Sequence, residues 1–468
     1  MQTSAPSSEV FVFWFRRDLR LEDNRGFSEA LKAARQAGKP LVPLFVFDQE
    51  ILERLEDQDD ARVGFIHQTL REMKAVLRQQ GADLVVLHGR PLEIWGDVMK
   101  RGLFASRENR SAGEMEIGRV AKVFANHDYE PLAIARDLKT QELLRARGVA
   151  FETFKDQVIF ERSEVVKDDG KPYTVFTPYS RKWLAEFERR LAAGHDESRA
   201  EPCGPGFSAL ISNLESTWFP TLAEIGFRQN ESIVLPGVKV PTSVLTEYAL
   251  KRNTPAIAGT TRLGLHLRFG TVSIRKLVRL ARELRADTWL SELIWREFFM
   301  QILFHFPRVQ EQAFRPEYDR IEWRNEPDEF ERWCEGRTGF PIVDAGMREL
   351  NATGFMHNRV RMIAGSFLVK HLLIDWRWGE AYFARKLLDF DLSANNGNWQ
   401  WVAGTGCDAA PYFRVFNPEL QTKKFDPDLR YIRTWIPELG TSKYPAPMVD
   451  HAAARARALQ AYQVVKAP

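Results

Sequence analysis

Two carboxylates near its start, an adjacent pair of asparagines and two tryptophans mark DFDLSANNGNWQWVAGTGCDAAPYFRVFNP, residues Asp389 to Pro418. Carboxylates and amides supply hydrogen-bonding groups, and indoles supply large flat faces with one polar handle. Trp399 and Trp401 are two residues apart. A helix turns by about 100° per residue, so they point to roughly opposite sides. One can then face the interior while the other faces a cavity. The stretch is too polar for a plain core helix and too aromatic for a plain loop. A capped helix with aromatic core residues accounts for it without any chemistry.

Three further groupings carry the same ambiguity. In Ser291–Phe299, Glu292, Trp295, Arg296 and Phe299 fall at i, i+3, i+4 and i+7, one helical face. A carboxylate on an aromatic face is costly to bury unless it is paired or protonated. The plain reading is an ion pair between Glu292 and Arg296. In Met356-His357-Asn358-Arg359-Val360-Arg361-Met362, the residues Asn358, Arg361 and Met362 share a face. An ordinary helix with a surface arginine, a core methionine and a structural His357 also explains them. Gly259-Thr260-Thr261-Arg262-Leu263 precedes a helix, where hydroxyls and free N–H groups suit a pyrophosphate. Thr-Thr before a helix is ordinarily just a cap.

These groups need elements to hold them. At 468 residues the chain is long for one core and implies two or more domains. Val10–Phe15, Leu41–Phe47, Leu84–Leu87 and Val120–Phe124 read as strands, separated by helical patterns at Gly26–Ala37, Ala61–Gln79 and Pro91–Lys100. Alternation of this kind predicts a doubly wound parallel sheet. The first strand leads into Arg16-Arg17-Asp18-Leu19-Arg20 and not G-x-G-x-x-G, which disfavours a nicotinamide enzyme. Arginines and aspartates at a strand end are more often a structural ion-pair network than a catalytic site. From Ser243 the pattern is helical, with apolar periodicity at Lys276–Leu284, Leu290–Phe304, Ile342–Leu350, Asn358–Leu373 and Ala381–Leu388. The expected organisation is an α/β domain at 9–135, a connector at 136–240 and an all-α domain at 241–468. Glu201-Pro202-Cys203-Gly204-Pro205-Gly206 reads as a surface loop within the connector.

Composition narrows the class. No apolar run is long enough to span a bilayer, and the first nine residues, MQTSAPSSE, lack the apolar segment of a secretory signal. Cys203, Cys334 and Cys407 are isolated and lack metal-ligand spacing, so free thiols in a cytoplasmic, reducing compartment are expected. Net charge is only +3, so any nucleic-acid site must be a local patch. Lys251 to Arg285, with nine Lys/Arg and the single acid Glu283, is the candidate.

Taken with Trp14-Phe15-Arg16-Arg17-Asp18-Leu19-Arg20, the Asp389–Pro418 stretch resembles the photolyase/cryptochrome family of flavoproteins. The likeness runs in motif order from about residue 9 to about residue 435. It is strongest to bacterial members that repair cyclobutane pyrimidine dimers. The resemblance implies that the helical domain binds FAD, with Tyr248, Thr260, Thr261, Arg262 and Leu263 on its phosphates. Gly264 stands where a serine is common. Arg361 would pair with Asp389 beside the isoalloxazine ring. Asp391 and Asn395 would complete the surround, with Asn395 facing N5, where plant-type cryptochromes tend to carry aspartate and animal-type ones cysteine. Trp289, Glu292, Arg296 and Asn358 would border the flavin.

The same resemblance assigns the substrate side. Glu292 would hydrogen-bond the damaged base, and Trp295 and Trp401 would form an aromatic wall. Asn358 and Met362 would line the cavity, where members that repair the other major photoproduct carry histidines. Arg252 and Arg359 would meet DNA phosphates. An electron relay would run through Trp399, Trp376 and Trp323 towards solvent, with Trp378 as a branch. The amino-terminal domain would hold an antenna, a folate or a deazaflavin. Tyr129-Glu130 is followed by Pro131-Leu132-Ala133, which lacks the glutamate of one folate pattern. The expectation is a monomeric, membrane-free enzyme that uses reduced FAD anion and blue light to split pyrimidine dimers in DNA. The alternatives are a blue-light photoreceptor without repair activity and a flavin module acting on single-stranded DNA.

Overall fold

The computed structural model describes residues 9–105, 115–200, 209–210 and 219–466. The expected surface loop around Cys203 lies outside the described residues. Contacts divide the chain into two units. One comprises Met1–Ile159, Glu197–Glu231 and His266–Arg279; the other comprises Phe160–Asp196, Ser232–Leu265 and Leu280–Pro468.

The first unit is built on a parallel sheet. Its strands are β1 (Glu9–Phe15), β2 (Leu41–Asp48), β3 (Val85–Gly89), β4 (Leu103–Ala105), β5 (Met115–Asn126) and β6 (Ala150–Phe154). Five parallel strands run in the order β3-β2-β1-β5-β6, and the short β4 pairs antiparallel with the start of β5. The helices α1 (Arg25–Ala37), α2 (Ala61–Gln79) and α3 (Pro91–Arg101) make the crossovers, and α4 (Pro131–Arg145) links β5 to β6. β1 and β2 are continuous apolar runs because both of their faces are covered. Val10, Val12 and Trp14 pack with β2, β3 and Trp95 on one face. Phe13 and Phe15 meet Phe27 of α1 on the other, at 5.4 and 5.3 Å between ring centroids. Gly26 allows this approach: a Cβ there would lie 2.9 Å from the Phe13 ring.

The charged run after β1 forms a structural network. Arg16 pairs with Asp137, Arg17 with Asp128 and Glu130, and Arg20 with Asp156. Asp156 has no side-chain exposure and lies between Arg20, at 2.6 Å, and Arg275, at 2.8 Å. It also accepts the backbone N–H of Arg25 at the start of α1. Burial alone would raise this carboxyl, but the two guanidinia outweigh burial and hold it at about 2. Glu130 is likewise engaged, by Arg17 and Arg268.

The second unit contains no ladder strand among its described residues. Its main helices are α5 (Phe176–Ala192), α6 (Asp287–His305), α7 (Pro341–Thr353), α8 (Asn358–Ser366), α9 (Trp376–Lys386), α10 (Leu392–Ala403) and α11 (His451–Ala461). Their core joins Trp333, Ile342, Met347, Val360, Phe367, Leu368 and Trp376. The helix expected to run to Leu373 changes pitch: after α8, Phe367–Leu372 is a wider π turn, closed by Leu373 in the left-handed region at φ 52°. No described helix is long and apolar enough to cross a membrane.

The segment expected as a connector, 136–240, divides between the two units. Residues up to Ile159 belong with the sheet, where β6 pairs with β5, and α5 packs on α6 in the helical unit. Trp183 of α5 and the Phe160 backbone both donate to buried Glu297 of α6.

Candidate flavin and substrate site

The helical unit encloses a cavity of about 350 Å³. Three elements supply most of its wall: α6 with Glu292, Trp295, Arg296 and Phe299; α8 with Asn358, Arg361 and Met362; and the segment from Leu387 into α10. α10 starts where it does because Asp391 caps it, accepting from the backbone N–H groups of Ser393 and Ala394. That capped turn fixes Asn395, Trp399 and Trp401 on the wall, with Asp389 just before it. Of the two tryptophans, Trp399 is buried, edge-on to Phe383 at 5.0 Å and to Trp333 at 6.2 Å. Trp401 is half-buried.

Charges in the cavity are paired across elements. Arg361 donates to Asp389 Oδ2 at 2.9 Å and, through Nε, to the Met356 carbonyl at 2.7 Å. Asp389 Oδ1 is buried and makes no hydrogen bond. Glu292 takes its cation from Arg252 at 2.5 Å, and not from Arg296 as helical spacing predicts. The geometric reason is that Arg252, in the turn after the short helix Tyr248–Lys251, reaches across to α6. The Arg252 guanidinium also lies over the Tyr248 ring. Burial and the neighbouring Glu292 push that phenol up to about 12. Asn395 donates its amide to Glu380 Oε1 at 2.7 Å and to the Glu380 carbonyl at 3.0 Å. Its remaining group for a ligand is therefore its own carbonyl oxygen. Burial raises the Glu380 carboxyl. One face of Trp295 is covered by Phe176, stacked at 3.6 Å.

Other expected residues lie outside the cavity lining. Thr260, Thr261, Arg262 and Leu263 form the turn before the helix Gly264–Phe269. Arg262 sits there in the left-handed region at φ 52°, with its guanidinium 4.3 Å from the Phe355 ring. Tyr248 is half-buried, and Trp289 is buried at the start of α6. Trp376 is in the core, and Trp323 is half-buried and edge-on to Tyr462. Arg359 donates to Asn253 at 2.7 Å and lies over Phe425. His357 caps α8 through Nδ1, and burial with nearby Arg361 holds it at about 4, neutral at physiological pH. Sequence reasoning missed Phe176, Trp333 and Glu380. Nothing in their spacing ties them to the cavity; only the packing of α5, α9 and the Pro327–Cys334 helix does.

Two family models match the chain: DNA photolyase over residues 11–199, and the FAD binding domain of DNA photolyase over residues 289–443. The chain belongs to the DNA photolyase family. Among curated relatives, the deoxyribodipyrimidine photo-lyase of Halobacterium salinarum is 35% identical, with 97% of this chain and 98% of that protein aligned. The one from Escherichia coli is 35% identical, with the same shares aligned. A class III photolyase from Agrobacterium tumefaciens superposes with a TM-score of 0.80 at 31% identity, covering 99% of both chains. A Synechocystis cryptochrome reaches a TM-score of 0.81 at 23% identity over 98% of this chain and 100% of its own, a likeness of fold.

The helical unit of this photolyase-family chain is thus an FAD-binding domain, and the cavity fits a flavin ring. Apolar rings of Phe299, Phe383 and Trp399 supply flat walls. The unpartnered Asp389 oxygen is an acceptor awaiting an N–H. The glycine at 264, where the family often has serine, has a local reason: a Cβ there would lie 2.7 Å from both Cβ and Oδ2 of Asp389. Gly264→Ala should displace Asp389 from Arg361 and cost about 1–3 kcal/mol of local overpacking. The expected result is weaker FAD retention on gel filtration with the fold intact by circular dichroism. Undiminished flavin content in the variant would show that the Asp389 position is not needed.

Proposed function

We propose that this chain is a light-driven repair enzyme that splits cyclobutane pyrimidine dimers in DNA. The observation that carries the reading is the convergence on one cavity of Glu292, Trp295, Asn358, Met362 and Trp401 with Arg361, Asp389 and Asn395. A carboxylate, an amide, a thioether and two indoles facing a flavin pocket suit a substrate, and a receptor without substrate has no evident use for them. Relatives about 35% identical over nearly their whole length carry repair-enzyme names, which disfavours the photoreceptor alternative. Bound FAD, as the reduced anion, supplies the excited electron donor, and the redox change cancels over a full cycle.

The chain's own residues do the rest. A dimer must leave the duplex stack to reach a buried pocket, which costs a few kcal/mol and less for damaged DNA. Trp401 and the open side of Trp295 receive its rings. Glu292, held by Arg252, meets the carbonyl edge of the dimer and stabilises charge as it develops. Asn395 offers its carbonyl oxygen to the flavin N5 position without adding a proton source. Arg252, which Glu292 engages, and Arg359, which Asn253 and Met362 engage, are the cations beside the substrate wall that would meet DNA phosphates. Trp399, Trp376 and Trp323 form the relay. A side branch from Trp399 follows ring contacts through Trp333 and Phe330 to Trp378, at 6.2, 5.8 and 5.2 Å. The sheet unit would carry the antenna, a folate or a deazaflavin.

Glu292→Ala should lower dimers repaired per absorbed photon severalfold at unchanged FAD content. The measure is dimer loss under blue light with prereduced protein. A parental yield from the variant would remove Glu292 from the substrate wall.

A further inference from the structure

Trp295 is held by a residue that does not line the cavity. Phe176 stacks on its indole with centroids 3.6 Å apart and planes 8° from parallel. Phe298 stands edge-on to both rings, 5.6 Å from Trp295 and 5.8 Å from Phe176. Phe176 is buried and is the first residue of α5. The N-cap position before it is Val175, whose apolar side chain makes no cap hydrogen bond. The cap comes from far along the chain: Asp408 Oδ2 accepts the Phe176 backbone N–H at 2.9 Å. Asp408 lies in the turn after α10. That turn folds back, so that the Ala410 N–H donates to the Trp401 carbonyl at 3.2 Å. The residues that carry the two indoles of the wall are thus connected, outside the cavity lining, through Phe176, Asp408 and this turn. The simplest role for the contact is to start α5.

We propose that Phe176 and Asp408 are positioning residues of the substrate wall, a clasp that presets the Trp295 indole for the extruded dimer; this rests on the repair reading above. A side chain that must freeze when a base stacks on it gives up binding energy. Trp295, packed against Phe176, loses that freedom before DNA arrives. The Phe176 ring is set in turn by its backbone. A charge-assisted hydrogen bond pins that backbone at the positive end of a 17-residue helix. Without the carboxylate the first turn of α5 lacks a cap and frays, and the Phe176 ring moves with it. The consequence is selective for damage. An extruded dimer uses the wall, whereas an undamaged duplex keeps its bases stacked and meets the protein through phosphates. The clasp therefore raises affinity for damaged DNA and leaves affinity for undamaged DNA as it is.

The test measures binding of the FAD-containing protein to duplexes with and without one cyclobutane thymine dimer, in the dark so that no dimer is consumed. Flavin content and circular dichroism report the fold. Phe176→Leu keeps an apolar side chain but removes the flat face. It should weaken binding of the damaged duplex about tenfold, towards the low end of what losing a base-stacking ring costs, with undamaged binding at the parental value. Asp408→Ala should weaken damaged binding severalfold. Asp408→Asn, whose amide oxygen still accepts the N–H, should recover most of it. Adding Phe176→Leu to Trp295→Leu should cost nothing further, because the ring it positions is gone. A parental preference for damage in Phe176→Leu would overturn the proposal, and so would equal losses on the two duplexes or a full further loss in the Trp295→Leu background. A parental preference in Asp408→Ala would overturn the part given to the carboxylate. Trp295→Leu alone separates the clasp from the wall: parental preference in that variant removes Trp295 from the substrate site, and the clasp with it.

Discussion

Trp399→Phe should abolish light-driven reduction of oxidised FAD, while prereduced protein repairs DNA at close to the parental yield. Trp399 is the one expected relay ring on the cavity wall; Trp376 and Trp323 lie outside its lining. The fold holds this indole in a slot made by two glycines. A Cβ at Gly379 would overlap the ring, and one at Gly365 would touch it at 3.5 Å. The side branch to Trp378 also begins at Trp399, so both routes lose their first member. Phenylalanine is far harder to oxidise than indole and leaves part of the slot empty. The packing cost is on the order of 1–3 kcal/mol, too little to unfold a domain with so large a core. The check is flavin absorbance under blue light with a thiol reductant, beside dimer repair after chemical reduction. Photoreduction at the parental rate contradicts the relay; loss of repair by prereduced protein would mean that Trp399 shapes the substrate site as well.

Asp156→Asn should destabilise the sheet unit strongly. It takes the shared anion from Arg20 and Arg275, although Arg275 keeps Asp23 at 2.8 Å, and breaking a buried pair costs about 3–5 kcal/mol. The amide can still accept the Arg25 N–H, so the loss is mainly electrostatic. The pH dependence has a definite sign. The folded carboxyl sits at about 2, below its ordinary 3.8. Its contribution is therefore present above about pH 4 and is lost as pH falls towards 2, amounting to roughly 2–3 kcal/mol. Urea unfolding followed at neutral and acid pH checks this. The parent should lose that stability on acidification and the variant should not. Equal stability of parent and variant at neutral pH would mean that the Asp156 charge contributes nothing to the fold.

Sequence patterns disclosed what depends on nearest neighbours along the chain. β1, β2, β3 and β5 announce themselves as apolar runs, and α2 keeps the bounds its periodicity predicts. β6 does not, because as an edge strand only Phe151 of its AFETF is buried, so it merges with the expected connector. The helical face of Glu292, Trp295 and Arg296 was legible, but the partner of Glu292 was not. Spacing offers Arg296 one turn away, whereas Arg252 arrives from a turn 40 residues earlier. The pairing of Arg361 with Asp389 came from resemblance to the family and not from spacing, and the fold contains it. Glu380 behind Asn395, Phe176 on Trp295 and Tyr462 against Trp323 all depend on how helices pack. No local pattern encodes them. Gly264 was visible as a departure, but its reason, the Asp389 side chain against its α-carbon, exists only in three dimensions.

The most direct measurement is repair itself. Protein loaded with FAD and chemically reduced is mixed with duplex DNA carrying one cyclobutane thymine dimer, and intact dimers are counted after blue light and after darkness. Dimer loss should rise in proportion to absorbed photons, with none in the dark, and the damaged duplex should bind more tightly than the undamaged one. Reduced, FAD-replete protein that leaves the dimer intact in the light and binds both duplexes equally would contradict light-driven repair by this chain.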